Sequence, residues 1–319
     1  MWRLNVDSMN FKYYNLSKNE CFMNFIKRFF LLFLVNILVV LTVSLILNFF
    51  HIQPYLQSYH LNIQSLMIFC LIWGFSGSFI SLLLSKHLAK WMVGVKIVNE
   101  NDSNYNYLYS IVRKIAIEAE LNHIPEVGVY ESKEINAFAT GYSQKNSLIA
   151  LSTGLINKMD TEELEGVIGH EMSHIKNGDM VTMTLLQGVF NSFVMFLSRI
   201  LAFVITSNSR EKNRSSYTSM RLFTFLFEII FMILASIVLA FYSRKREYKA
   251  DIGSANIVGK QKMIKALNAL KNTHEIVDEK SLQTAFSNLK ISGYKKKSYL
   301  SLFMTHPSLD KRIENLVNL

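Results

Sequence analysis

Cysteine and proline are almost missing from this chain, with two of one and three of the other in 319 residues. Cys21 sits in a polar stretch and Cys70 inside an apolar run, so they make no disulfide framework and read as unpaired thiols of a reducing compartment. There is no Pro- or Gly-rich linker and no internal repeat. Acidic residues are also scarce, 24 against 34 basic, for a formal net charge of +10. The basic residues are scattered and no nucleic-acid motif accompanies them, so the expectation is no nucleic acid; the surplus suits a chain lying against anionic lipid. Nor is a cleavable signal peptide expected. The first apolar run follows Lys27 and Arg28 and is too long for an h-region, so it reads as a retained anchor. Met1 to Cys21 carries no motif, and Met23 is an alternative start.

What the chain has is apolar length, since half of its residues are hydrophobic. Phe29–Phe50, Ser65–Leu84, Leu185–Ile205 and Leu222–Phe241 approach or reach the roughly 20 residues that span a bilayer as a helix. Lys18, Lys27 and Arg28 precede the first run, Lys86, Lys90 and Lys96 follow the second, and the connector between has no Lys or Arg. The positive-inside rule therefore puts the N-terminus and everything after Lys86 in the cytoplasm. Arg210, Lys212, Arg214 and Arg221 join the third and fourth runs, and oppose that rule if the second hairpin crosses fully. A shallow hairpin is the alternative; the length of both runs favours crossing. Arg199 and Glu228 fall at matching depths, about 9 Å inside one boundary, and are expected to pair.

Between and after the hairpins the pattern is globular. Leu108, Ile111, Val112, Ile115 and Ala119 line one side of a helix over Tyr107–Leu121. Glu126–Tyr130, Ala137–Thr140 and Leu148–Leu151 read as short strands. Asp160, with Glu163 three residues on, starts a capped helix that stops or kinks at Asn177-Gly178-Asp179. The expected fold is α+β, mainly helical, with four transmembrane helices. Residues 1–28 form a cytoplasmic extension, 29–84 the first hairpin, 85–184 the first part of the soluble domain, 185–241 the second hairpin and 242–319 the second part.

The capped helix carries His170-Glu171-Met172-Ser173-His174. Positions four apart lie one turn apart on one helical face, so both imidazoles reach one tetrahedral zinc, while Glu171 is placed beside its water-filled fourth position. Zinc lowers the pKa of that water and a carboxylate takes its proton, which is the chemistry of peptide hydrolysis. A third ligand is needed from another element. Glu247 and Asp251, one turn apart in YSRKREYKAD, are candidates for the third ligand and for a hydrogen bond to a ligand imidazole. Read from the residues alone, that run is as readily a solvated charged helix. The serines and cysteines lack a nucleophile's partners, which argues against covalent catalysis.

Several stretches resemble the bacterial heat-shock membrane metalloproteases of the M48 gluzincin peptidase family. They are WGFSGSFISLLLSK (Trp73–Lys86), INAFATG (Ile135–Gly141), STGL (Ser152–Leu155), GHEMSHIKNGDMVTMTLLQG (Gly169–Gly188), SRKREYKAD (Ser243–Asp251) and FMTHPSLDKRIE (Phe303–Glu314). The resemblance implies a gluzincin-type domain holding one Zn2+ per subunit on His170, His174 and Glu247, with Glu171 as general base and Asp251 supporting the ligands. It further implies that Asn136, Ala137, Phe138 and Ala139 form an edge strand to which an extended substrate adds, and that His306, before Pro307, lies near the active site, where it is a candidate to stabilise the oxyanion. The implied function is stress-linked quality control: endoproteolysis of misfolded or damaged membrane proteins, or other unfolded polypeptides, at the cytoplasmic face of the bacterial inner membrane. Two rivals are a prenyl-peptide protease of the same family and a zinc-binding membrane scaffold. The shorter chain and closer motif match weigh against the first, and intact Glu171 against the second.

Overall fold

The computed structural model describes residues 62–207, 214–285 and 304–319. The first expected span, the cytoplasmic extension, Cys21 and residues 208–213 of the basic connector lie outside the described residues.

Chain order begins with helix α1 (Ile63–Met92), strand β1 (Lys96–Val98), helix α2 (Asn106–Glu118) and strands β2 (Glu126–Tyr130), β3 (Ala137–Gly141) and β4 (Ser147–Ser152). There follow α3 (Thr153–Lys158), α4 (Thr161–Asn177), α5 (Asp179–Ser207), α6 (Arg214–Val258), α7 (Lys260–Ala285) and α8 (Leu309–Val317). The four strands form one sheet in the order β1-β2-β4-β3. β2 and β4 are parallel and the outer pairs antiparallel, with Ala137 opposite Leu151 and Ala139 opposite Ile149. β4 is buried along its whole length, as a central strand covered on both faces must be.

α2 buries Leu108, Val112 and Ile115 completely, the face its helical spacing predicts. These join Ile149, Leu151, Ile168 and Met172 in the main core, so α4 is held against the sheet by the side chains flanking its histidines. At the start of α4, Asp160 and Glu163 form the expected capping box, two reciprocal bonds that satisfy otherwise orphaned helix N–H groups. Gly178 ends the helix in the left-handed conformation (φ 61°).

Among the described residues, α1, α5 and α6 are long and apolar enough to cross a membrane, and this is a membrane protein. α5 lies between the other two. Asn191 Nδ2 donates to Ser78 Oγ at 3.4 Å, and a Cβ on Gly74 would lie 2.8 Å from the Cα of Ser192, so α1 and α5 cross at close range. Arg199 Nη1 and Glu228 Oε1 stand 3.0 Å apart, the pairing expected from their matched depths. α6 carries the fourth apolar run and continues unbroken beyond it to Val258. The strand β1 had no signal in the sequence, being three residues long.

Candidate metal centre

Two helices bring the chemistry together. α4 carries His170, Glu171 and His174; α6 carries Glu247 and Asp251. The helices approach closely because small residues line the seam. A Cβ on Gly169 would meet Ser254 Oγ at 2.7 Å, one on Gly253 would collide with Ser173, and Ser254 Oγ donates to Gly166 O at 2.9 Å. A larger residue at either glycine would separate the ligands.

His170 Nε2 and His174 Nε2 lie 3.2 Å apart, and each is 3.4 Å from an oxygen of Glu247. All three residues are buried, Glu247 to 1% exposure. A tetrahedral zinc with bonds of about 2.0–2.1 Å has ligands about 3.3–3.4 Å from one another. The contacts are of the length that separates neighbouring ligands on one zinc, the two to Glu247 being made by different oxygens, Oε2 towards His170 and Oε1 towards His174. Both Glu247 oxygens are buried, and among the described residues neither makes a well-aligned hydrogen bond; their polar neighbours are the imidazoles of His170, His174 and His306 and the Arg312 guanidinium. An ionised carboxylate left so costs several kcal/mol unless it is paired or ligates a cation. The donor set and the buried carboxylate without a well-aligned hydrogen bond both fit a metal ion.

The outer nitrogens of the imidazoles are held too. His170 Nδ1 is 2.9 Å from Asp251 Oδ1, and His174 Nδ1 is 2.6 Å from Asp179 Oδ2. Arg312, from α8, donates through Nε and Nη2 to both oxygens of Asp251 at 2.8 and 2.6 Å, and its Nη1 is 3.5 Å from Glu247 Oε2. Burial alone would lower the His174 pKa, but the Asp179 carboxylate bonded to Nδ1 and the Glu247 carboxylate beside Nε2 outweigh it and hold the group at about 9. Without a metal the site thus keeps protons on its nitrogens, and a metal must displace them.

The description of peptidase family M48 matches residues 102–319, more than half of the chain. The chain belongs to peptidase family M48. It is similar to proteins named Protease HtpX homolog in Bacillus velezensis (45% identical over 298 residues) and Bacillus subtilis (44% over 299), each match covering 91% of this chain and 98% of the relative. Protease HtpX of Shewanella piezotolerans is 42% identical, with 91% and 99% covered. The crystal structure of S. mikatae Ste24p shares the fold at 18% identity, with a TM-score of 0.52. That match covers 89% of this chain, which spans 66% of the Ste24p chain. The protein is therefore a membrane-embedded protease of the M48 family, a metallopeptidase family, and His170, His174 and Glu247 form a possible site for its metal.

Other residues singled out from the M48 resemblance fall around this centre. Glu171 is partly buried on α4, near enough to act electrostatically on His174 and Arg312. His306 is 65% exposed, with Nδ1 2.9 Å from Glu247 Oε2, so it touches the carboxylate of the three-residue set. Ala137, Phe138 and Ala139 lie on β3, which among the described strands pairs only with β4 and leaves its other edge open. Asn136 precedes it, tied by its backbone to Ser152. Ala137 and Ala139 pack on the main core beside α4, whereas Phe138 packs with Tyr130 in a second cluster against Ala89 of α1.

Sequence reasoning missed Asp179 and Arg312. Asp179 stood in the Asn-Gly-Asp break, where the glycine was read and the aspartate was not. Arg312 stood in a quoted stretch, but nothing in its spacing ties it to Asp251.

Proposed function

We propose that this protein is a zinc-dependent endopeptidase of the bacterial inner membrane that cleaves misfolded or damaged membrane proteins at the cytoplasmic face. The observation that carries the reading is the three-ligand face of His170, His174 and Glu247 with Glu171 beside it. When bound, zinc supplies a Lewis acid and lowers the pKa of its water to about 7. Glu171 then accepts the proton of the attacking water and delivers it to the departing amide nitrogen. Asp251 and Asp179 hold the Nδ1 hydrogens of His170 and His174, so that each presents Nε2 inward. The free edge of β3 offers main-chain groups to an extended substrate, with little demand on its side chains, which suits degradation better than processing at one sequence. His306 is on hand for the oxyanion or the ligand carboxylate.

Topology is consistent with this reading. His170 and His174 precede the α5–α6 hairpin and Glu247 follows it, so a shared metal needs the hairpin to return to the side it left, and the lysines after α1 favour the cytoplasm as that side.

The test is cleavage of casein by detergent-purified protein, with and without chelator, alongside elemental analysis. Glu171→Gln should retain one zinc and lose at least about 10²-fold in rate. Chelator-resistant cleavage, or near-normal cleavage by this variant, would remove the mechanism.

A further inference from the structure

One unbroken helix sets the distance between the candidate metal centre and the lipid. α6 turns Leu222, Phe225, Ile229, Ile233, Val238 and Phe241 outward, each between 38% and 64% exposed. Arg244 and Lys245 follow, as at a water–lipid boundary, and Glu247 comes six positions after Phe241 on the same helix. At 1.5 Å of rise per residue, the carboxylate stands about 9 Å above the end of the lipid-facing stripe.

α1 brings the sheet to the same boundary. Leu84, Leu88 and Trp91 share a helical face and continue the stripe out to Trp91 and Met92, 82% and 73% exposed. On the opposite face, Lys86 Nζ and Lys90 Nζ each lie 2.8 Å from Glu126 at the start of β2, and Ala89 packs on the cluster that holds Phe138. The end of a membrane helix is thus fastened to the sheet, with Trp91 in the position of an interfacial aromatic. β3, the edge strand, packs on α4 and on this part of α1.

We propose that the enzyme cuts next to the membrane: its preferred substrate is a membrane-anchored polypeptide in extended form, cleaved about three to eight residues beyond the end of its own span. Climbing 9 Å takes about three extended residues at about 3.3 Å each. Pairing along the five positions of β3 extends the reach to about eight. A bond farther along the tail must loop back. Effective concentration falls with about the −3/2 power of tether length, so a bond eighty residues out is disfavoured about thirtyfold against one at eight. Bonds one or two residues from the span lie below the site.

This inference rests on the endopeptidase reading, and its test separates the two. Full-length zinc-loaded protein is reconstituted in vesicles with a single-span substrate. The substrate's cytoplasmic tail is a string of identical copies of one casein-derived peptide, so every copy offers the same bonds. The same string without an anchor is the soluble control. Mass spectrometry of early products should place anchored cuts in the first copy, three to eight residues past the span, while the control is cut in all copies alike. Early cuts spread evenly along the anchored tail, or concentrated at its free end, would overturn the proposal. If the soluble control is not cut either, the endopeptidase reading falls and takes this one with it.

Discussion

Asp179 Oδ2 lies 2.6 Å from His174 Nδ1, reaching back from the first residue of α5 across the left-handed turn at Gly178. The carboxylate fixes the ring so that Nε2 faces Glu247, and raises the basicity of the ligand nitrogen. Asp179→Asn keeps the shape and removes the charge. Zinc affinity is expected to fall 10–100-fold, the usual loss when a partner behind a ligand is changed. Competition against a chromophoric chelator measures it. Unchanged affinity would mean that His174 is oriented without Asp179.

Proton competition gives metal binding a pH dependence of known sign. In the metal-free protein His174 is held at about 9, because its carboxylate partners outweigh the effect of burial. Below that pH the ring is protonated and must lose a proton to ligate; above it, no proton is displaced. Zinc affinity should therefore rise from pH 6 towards pH 9, by about tenfold per unit for each proton released, and then level. Calorimetry in buffers of different ionisation enthalpy counts the protons. Binding without proton release at pH 7 would contradict the assignment.

How much could be read in advance follows the reach of the physical signals. The His170–His174 pair, the Asp160 cap and the buried face of α2 are set by 3.6-residue periodicity, which covalent geometry imposes locally, and each is where the spacing predicts. The depth match of Arg199 and Glu228 was legible for the same reason. The apolar stripe stops at Phe241, and the helix runs on past Gly253 to Val258, where Gly259 with a φ of 101° ends it. Arg312 was illegible because its contact with Asp251, 61 positions away, depends on how α8 docks on α6 and α7. Local patterns carry no information about such a contact.

The Arg199–Glu228 pair sits inside a membrane hairpin, with each side chain less than a third exposed. Glu228→Leu leaves Arg199 with the Met195 carbonyl as its remaining hydrogen-bond partner among the described residues. A cost of about 2–3 kcal/mol is expected for the lone charge, with the Arg199→Leu/Glu228→Leu double variant losing less than the sum of the singles by about 1–2 kcal/mol. Unfolding in detergent micelles, followed for the wild type, both singles and the double, gives the coupling. Strict additivity would show that the two groups do not interact.

Glu247 offers the sharpest test of the centre, because its two substitutions separate charge from reach. Its carboxylate lies 3.4 Å from both ligand imidazoles, one oxygen to each, and is buried to 1% exposure. Glu247→Ala removes one donor and the negative charge that offsets the cation. Two histidines and water should hold zinc at least about 10²-fold more weakly, with purified protein close to metal-free. Glu247→Asp keeps the charge but shortens the side chain by one methylene, about 1.3 Å. The seam between α4 and α6 is already in close contact at Gly169 and Gly253, so the backbone has little room to follow. Intermediate affinity is expected, with cleavage falling more than metal content, since a displaced ion no longer holds its water at Glu171. Elemental analysis and casein cleavage on the same preparations read both quantities. Full zinc and full activity in Glu247→Ala would move the third-ligand role elsewhere, and Asp251, one turn further along α6, is the next carboxylate to examine.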